Sequence, residues 1–225
     1  MCIRDRSYTA VCSHDRVSGW AVVVPAKLLA HAKTRLAPLT AQAPGTLHAD
    51  LVLALLGDTV AAAVASPLVT DLVVVTDEPR AAAVVTGLGA RTVPDAPDGG
   101  LNPALVHGAR STGRARVVAL SSDVAALRPE ELTAALEQAA GHPRSLVADA
   151  EGTGTTLLAV TAGPLDPRFG PGSAQAHAAS GAVPLSGRWP GLRRDVDTAA
   201  DLAAAAALGL GPRSAPLAAR LLGSP

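Results

Sequence analysis

Short apolar runs alternate along the chain with longer segments in which apolar residues recur at helical spacing. The runs are apolar in consecutive positions, which is typical of strands buried on both faces of a parallel sheet. They lie at Ala21–Val24, Asp71–Thr76, Ala90–Val93 and Arg116–Leu120. The segments that predict helices lie at Leu47–Ala65, Glu78–Gly87, Pro103–Arg110 and Arg128–Ala140. This alternation predicts an α/β fold with a mostly parallel, doubly wound sheet.

The pattern changes after residue 140, where two apolar runs follow each other closely. Ser145–Ala150 and Thr155–Thr161 predict strands that form a hairpin through Glu151–Gly154, where the glycines permit positive φ. The remaining elements predict a small lid: a short helix with Ser173 as its N-cap, a strand at Gly181–Leu185, and a helix at Ala199–Leu208 with Asp197 as its expected cap and Gly209 at its end.

The two ends of the chain differ from this middle part. Residues 1–18 have no periodicity and no apolar core of a signal peptide. Their MCIRDRS start resembles translated adaptor sequence, so we interpret 1–18 as a non-native or disordered extension. We expect one folded domain over residues 19–212 and a surface tail over 213–225.

Composition excludes several classes of protein. The 19 basic and 19 acidic residues cancel, so no overall field attracts nucleic acid or an anionic membrane. Aromatic residues make up 2%, too few for stacking on single strands. Cys2 and Cys12 are the only cysteines, which favours a reducing, cytoplasmic compartment. No charge-free apolar stretch reaches the length of a membrane span, so we expect no transmembrane helix.

Three cations follow the first predicted strand closely. Lys27, Lys33 and Arg35 lie in its connection to the first long helix. Ligands of open α/β sheets bind outside the carboxyl ends of the strands, so these cations predict a polyphosphate site. The alternative is a solvated surface loop without a ligand.

Carboxylates are predicted at the same edge of the sheet. Asp123 directly follows a buried strand, and Asp195 and Asp197 precede the alanine-rich helix. Together they can hold Mg²⁺, which takes one or two carboxylates and completes its shell with water and phosphate oxygens. Cations and a metal at one edge predict a nucleoside triphosphate as ligand. The alternative makes Asp197 a helix cap and Asp195 the counter-ion of a neighbouring arginine.

Two further polar groups project to this edge. The loop before the helix at Pro103 carries Asp98, Gly100 and Asn102, so backbone N–H groups and an amide gather at a helix start, although a glycine pair is also an ordinary turn. Thr155, Gly170 and Ser173 form the second group. The chain has no GxxxxGK[ST] or GxGxxG motif and no hydrolytic triad. Phosphoryl transfer suits such a site, because it needs positioning and charge rather than a protein nucleophile.

The succession of motifs resembles a known family. VPAKLLAHAKTRL, VVVTDEP, VPDAPDGGLNPAL, ALSSDVAALRPEEL, VADAEGTGTTLLAV, FGPGSAQAHAASGA and PGLRRDVDTAADL occur in the order found in the phosphoenolpyruvate/2-phospho-L-lactate guanylyltransferases of deazaflavin (F-420) coenzyme biosynthesis. The resemblance covers nearly all of residues 20–212 and is strongest to the actinobacterial branch, which uses phosphoenolpyruvate. It implies a nucleotide-diphospho-sugar-transferase type fold and transfer of GMP from GTP, with release of pyrophosphate.

The resemblance also implies roles for the residues already named. Phosphoenolpyruvate, or 2-phospho-L-lactate as the alternative acceptor, would contact Thr155, Gly170 and Ser173. Mg²⁺ would be held by Asp123 and Asp195, with Asp197 next to them. The triphosphate would contact Lys27, Lys33 and Arg35, and the nucleoside would lie near Asp98, Gly100 and Asn102.

One position departs from the family pattern. The family has Asp-Leu-Pro after the fourth strand, whereas this chain has Asp123-Val124-Ala125, which removes a constraint on φ. Two alternatives therefore stay open: a sugar-phosphate or molybdopterin nucleotidyltransferase, although the chain lacks a Gly-rich loop after its first strand, and a non-catalytic nucleotide-binding relative. The sequence leaves the oligomeric state open.

Overall fold

A computed structural model describes residues 19–26, 29, 33–40, 46–96 and 99–223. The expectations for residues 1–18, for Lys27 and for Asp98 lie outside these ranges.

Seven strands in this part of the chain form one sheet in the order β3-β2-β1-β4-β6-β5-β7. The strands are β1 (Trp20–Pro25), β2 (Val69–Val75), β3 (Arg91–Val93), β4 (Val117–Leu120), β5 (Arg144–Ala148), β6 (Thr155–Val160) and β7 (Val183–Pro184). Only β6 runs antiparallel to its neighbours, because it returns from β5 through the predicted hairpin. The prediction of a mostly parallel α/β sheet is therefore confirmed.

Helices cover the sheet. They are a 3₁₀ turn (Thr34–Leu36), α1 (Ala37–Thr40), α2 (Leu47–Ala65), α3 (Pro79–Thr86), α4 (Leu101–Thr112), α5 (Pro129–Ala139), α6 (Ser173–Ala179), α7 (Pro190–Arg193), α8 (Ala199–Leu208) and α9 (Ala215–Leu222). The chain builds outward from β1 to β3 and then crosses to β4 on the other side of β1. The order of the strands thus reverses between β1 and β4, which is where such folds bind ligands.

Strand β1 is buried on both faces, as its sequence predicts. Trp20, Val22 and Val24 pack in the core cluster that includes α2, α3 and α5, whereas Val23 packs with residues of α4 on the opposite face. Gly108 lets α4 approach the sheet closely. A Cβ at this position would lie 2.5 Å from Cγ1 of Val23.

Helix α2 is long and apolar enough to cross a membrane by length and composition alone. The structure shows instead a core helix, because most of it is buried in the fold. Its Asp58 is buried and accepts hydrogen bonds from the backbone of Arg213 at 3.1 Å and of Ser214 at 2.8 Å. The apparent membrane span is therefore part of the interior of an α/β domain.

The structure corrects the two predicted N-caps. Helix α6 begins at Ser173 itself, after Gly172 in a left-handed conformation with φ of 71°, and the Ser173 hydroxyl makes no capping bond. Helix α8 is capped by Thr198 rather than Asp197. Thr198 accepts from the backbone of Asp201 at 3.2 Å, and the carboxylate of Asp201 accepts from the Thr198 backbone at 2.8 Å. This reciprocal pair satisfies two backbone donors at once, which leaves Asp197 available to the cleft.

The predicted surface tail also differs from the structure. Residues 215–222 form α9, and Ala218 packs against α2 and α8 in a third core cluster. Ser214 is fully buried, and its hydroxyl donates to Asp58 at 2.6 Å. Apolar residues on one side of α9 and the buried Asp58 therefore hold the C-terminal helix to the domain. Strand β7 is shorter than the predicted Gly181–Leu185.

Candidate functional site

A cleft of about 780 Å³ opens at the carboxyl ends of β1 and β4. Most of the predicted site residues that the structure describes line it: Lys33, Arg35, Asp123, Thr155, Gly170, Ser173, Asp195 and Asp197. Residues from the beginning, the middle and the end of the chain therefore meet where the sheet-edge argument places them. Gly100 and Asn102 are not among the lining residues.

The Lys33 ammonium group lies between two of the predicted carboxylates. Its Nζ contacts Oδ2 of Asp123 and lies 2.5 Å from Oδ1 of Asp197. The Asp123 side chain is 8% exposed, so its charge is neutralised mainly by this lysine. Lys33 has a φ of 53°, a region that non-glycine residues rarely adopt. Backbone strain of this kind concentrates at functional sites.

Arg35 has a different environment from Lys33. It is exposed, borders the cleft, and forms no ion pair with the residues that the structure describes. Its charge is therefore available to an anion entering from solvent.

Asp195 is a carboxylate without an arginine partner. The neighbouring Arg193 donates instead to the backbone carbonyls of Ala148 and Asp149, and Arg194 pairs with Glu151 at 2.7 Å. The interpretation of Asp195 as counter-ion of either arginine is therefore wrong. Burial, and then repulsion from the charge of Asp197, raise the pKa of Asp195 to about 6. The half-buried Asp195 carboxylate thus lies among other carboxylates, and the positive charge of Lys33 offsets their repulsion only in part.

Sequence reasoning missed a second acidic group in the cleft. Asp149, Glu151 and Asp195 each place one carboxylate oxygen within 4.8 Å of the others. Asp149 also closes the hairpin turn, because it accepts from the backbone of Thr153 at 2.8 Å and of Gly154 at 2.6 Å. The sequence did contain a signal for this residue, because Asp149 is the first residue after β5. The predicted strand, however, extended through it to Ala150.

The donor set fits a hard divalent cation. Carboxylate oxygens are the ligands that Mg²⁺ uses, and Asp195 belongs both to the predicted set with Asp123 and Asp197 and to the cluster with Asp149 and Glu151. The excess negative charge around Asp195 is the observation that supports this fit.

The cleft is also lined by hydroxyl and backbone groups. Thr155 begins β6 and is 6% exposed, and Ser173 is 2% exposed. Gly170 has a φ of 138°, which only glycine adopts readily, and a Cβ would meet nothing within 4 Å. The backbone, and not crowding, therefore requires glycine here.

Asn102 stabilises the backbone that precedes Gly170. Its Oδ1 accepts from the backbone N–H of Phe169 at 2.8 Å, and its Nδ2 donates to the Phe169 carbonyl at 3.1 Å. The amide thus fixes the chain next to Gly170. A contact between Asn102 and a nucleoside stays a prediction.

The departure from the family pattern after Asp123 is well packed. Val124 is fully buried and Ala125 is 2% exposed, in two different core clusters. The carbonyl of Val124 accepts from Leu127 at 2.9 Å, and that of Ala125 accepts from Gly211 at 3.0 Å. These contacts hold the segment after Asp123 without a proline.

Solved structures share the fold. A protein from Desulfovibrio desulfuricans G20 that is assigned to the nucleotide-diphospho-sugar transferases has a TM-score of 0.63 at 19% identity, over 81% of this chain and 84% of its own. CMP:2-keto-3-deoxy-manno-octonic acid synthetase in complex with CTP has a TM-score of 0.53 at 15% identity, over 85% of this chain and 98% of its own. The predicted nucleotide-diphospho-sugar-transferase type fold is confirmed.

Sequence relatives are much more similar. The phosphoenolpyruvate guanylyltransferase of Geodermatophilus obscurus is 64% identical over 203 residues, which cover 89% of this chain and 94% of the relative. The enzyme of the same name from Thermomonospora curvata is 55% identical, over 93% of this chain and 92% of its own. The family model "Guanylyl transferase CofC like" matches residues 20–181, which contain strands β1 to β6, the acids Asp123 and Asp149 and the cleft hydroxyls of Thr155 and Ser173. The chain therefore belongs to the CofC-like guanylyl transferase family.

Proposed function

We propose that the protein transfers GMP from GTP to the phosphate of phosphoenolpyruvate. An acceptor phosphate oxygen attacks the α-phosphorus of GTP in line, a new P–O bond forms, and the bond to the bridging oxygen breaks so that pyrophosphate leaves. The observation that carries the proposal is the convergence of Lys33, Arg35 and the cleft aspartates on the same cleft as Thr155 and Gly170. The names of the relatives supply the choice of substrates.

The charged part of the cleft suits the triphosphate. Lys33 and Arg35, with Lys27 as a predicted third cation, offset the repulsion between two anionic reactants and the charge on the departing pyrophosphate. We place the guanine side near Gly100, with Asp98 and Asn102 as further candidates. No general base is needed, because a phosphate nucleophile is already ionised.

The part around Thr155 suits the acceptor. The hydroxyls of Thr155 and Ser173 and the unobstructed backbone at Gly170 offer uncharged donors to an anion. The same groups would bind 2-phospho-L-lactate equally well, since the two acceptors differ at one carbon. The acceptor assay below decides between them.

Asp123 and Asp195 would hold Mg²⁺, with Asp197 beside them and Asp149 and Glu151 on the other side of Asp195. Such an ion would act as a Lewis acid on phosphate oxygens. The chain's own contribution is to orient these carboxylates: the backbone N–H groups of Thr153 and Gly154 donate to the Asp149 carboxylate, and Lys33 holds Asp123 and Asp197 together.

The remaining assignments follow from the same proposal. We propose that the substrates are small molecules, that the protein is cytoplasmic, and that it has no nucleic-acid or membrane partner. We also propose that one domain over residues 19–212, with α9 packed against it, carries out catalysis.

The test supplies GTP and Mg²⁺ with one acceptor at a time: phosphoenolpyruvate, 2-phospho-L-lactate or glucose-1-phosphate. We expect pyrophosphate release and a product of the mass of enolpyruvyl-diphosphoguanosine with the first. Turnover with glucose-1-phosphate alone would identify a sugar-phosphate nucleotidyltransferase, and GTP binding without turnover of any acceptor would identify a non-catalytic relative.

A matched pair of variants tests the role of the acidic group. Asp123→Asn should lower turnover about 100- to 1,000-fold, as for loss of a group that stabilises transition-state charge. Glu137→Gln, which removes an exposed carboxylate on α5 that does not line the cleft, should leave turnover unchanged. Native turnover by Asp123→Asn contradicts the assignment.

A further inference from the structure

One buried histidine joins the two halves of the acceptor part of the cleft. His177 lies in α6 and is fully buried. Its Nδ1 lies 2.9 Å from the hydroxyl of Thr155, and its Nε2 lies 2.7 Å from the backbone nitrogen of Arg168, two residues before Gly170. The ring therefore contacts both the first residue of β6 and the loop before Gly170, which border the proposed acceptor.

These two contacts fix the position of the ring proton. The backbone N–H of Arg168 can only donate, so Nε2 must accept and carries no hydrogen. A neutral imidazole has one N–H, which in His177 is then at Nδ1.

The ring is neutral at physiological pH. Burial, and then the positive charge of Arg144, lower the pKa of His177 to about 4. An edge contact with Phe169, at 5.0 Å between ring centroids, holds the ring in place. The protein thus keeps one tautomer in a fixed orientation.

The fixed tautomer determines what the Thr155 hydroxyl can do. Since Nδ1–H donates, the Thr155 oxygen accepts, and its own hydrogen points elsewhere. The hydroxyl borders the cleft, and within the described ranges no protein acceptor receives its hydrogen. The hydroxyl is therefore left as a donor toward the cleft.

We propose that His177 is a positioning residue that orients the Thr155 hydroxyl to donate to an anionic oxygen of the acceptor. The inference rests on the proposed function, because it assumes that the acceptor lies at Thr155. This orientation gives the site a preference for an oxyanion. A ligand with a hydroxyl or amide donor at this point would place its hydrogen against the hydrogen of the Thr155 hydroxyl. His177 itself does not touch the substrate.

Two substitutions separate the two contacts of the ring. The amide nitrogen of Asn stands near the position of Nδ1 and can still donate to Thr155, whereas the amide of Gln reaches the position of Nε2 and can still accept from Arg168. We expect His177→Gln to raise the KM for phosphoenolpyruvate about tenfold, the effect of one hydrogen bond to a charged group, with the KM for GTP within twofold. His177→Asn should keep the acceptor KM within about threefold.

Thr155 variants show whether the effect passes through the hydroxyl. Thr155→Val should raise the acceptor KM at least as much as His177→Gln, and the double variant should be no worse than Thr155→Val alone, because both changes remove the same hydrogen bond. Thr155→Ser, which keeps the hydroxyl that Thr155→Val removes, should have an acceptor KM close to that of the native protein. Additive effects, or equal losses in His177→Asn and His177→Gln, would overturn the positioning role.

The outcomes distinguish this inference from the proposed function. If Thr155→Val leaves the acceptor KM unchanged, the placement of the acceptor fails. If Thr155→Val raises it and His177→Gln does not, the placement holds and the role of His177 fails. A measurement on the native protein avoids variants that do not fold: ¹⁵N NMR of the imidazole should show the proton on Nδ1, and a proton on Nε2 would overturn the inference.

Discussion

The half-buried carboxylate of Asp195 should lower the stability of the metal-free protein. It lies near Asp149, Glu151 and Asp197 without an arginine partner, and its pKa is about 6 against an ordinary 3.8. The folded protein therefore holds this proton more tightly than the unfolded chain does. Replacing Asp195 by Asn keeps the shape and removes the charge, so we expect Asp195→Asn to be more stable than the native protein.

The pKa of Asp195 gives the size and the sign of this effect. A shift from 3.8 to about 6 corresponds to at most ~3 kcal/mol, and solvent at the cleft reduces it to about 1–2 kcal/mol. Because the folded pKa is raised, the penalty is absent below pH 4, grows as the pH rises to 6, and is constant above. The Asn variant should gain about 1–2 kcal/mol at pH 7.5 and nothing near pH 4.

Urea unfolding with EDTA at pH 7.5 and pH 4 measures this difference directly. Turnover of the same variant should fall about 100-fold or more, since Asp195 is also a proposed metal ligand. Glu137→Gln, with the same change of charge at an exposed position, should stay within about 0.5 kcal/mol at both values. A loss of stability at pH 7.5, or an equal gain at pH 4, would refute the electrostatic argument.

Three further predictions concern packing and the acceptor loop. Asp58→Ala should cost about 3–5 kcal/mol by urea unfolding and release α9, because buried donors of Arg213 and Ser214 lose their acceptor. Gly108→Val should lower the free energy of unfolding by at least about 1–3 kcal/mol, because its side chain would enter the space of Val23. Asn102→Ala should raise the KM for phosphoenolpyruvate more than that for GTP in steady-state kinetics, since it frees the backbone beside Gly170.

The sheet and the long helices could be predicted because their signals are local. Strand β1 is apolar at every position because both of its faces are buried, and α2 and α8 end at the predicted residues since Ser66-Pro67 and Gly209 interrupt them. The helix caps were harder to predict than the sheet and the long helices. At α8 two consecutive polar residues, Asp197 and Thr198, compete, and the choice of Thr198 depends on the reciprocal bond with Asp201.

The candidate site was predictable to the extent that it follows the strand ends. Asp123 directly follows β4, and the rule that ligands bind outside the carboxyl ends of parallel strands places it with the connection after β1 that carries Lys33. Asp149 and His177 depend on long-range contacts instead. His177 lies in an ordinary short alanine-rich helix, and only the folded loop brings the Arg168 backbone to its ring.

The distribution of charge in the cleft carries a consequence for catalysis under the proposed function. Lys33 and Arg35 line the cleft as cations, whereas Thr155 and Gly170 at the proposed acceptor position are uncharged, and His177 beside Thr155 is neutral. Cations beside the acceptor would stabilise its ground state as much as its transition state, which gains no turnover. Neutral donors orient the acceptor phosphate and leave it nucleophilic, so Lys33 and Arg35 act mainly on the charge that develops as pyrophosphate departs. A lysine introduced next to Thr155 should accordingly lower the acceptor KM in steady-state kinetics without raising kcat.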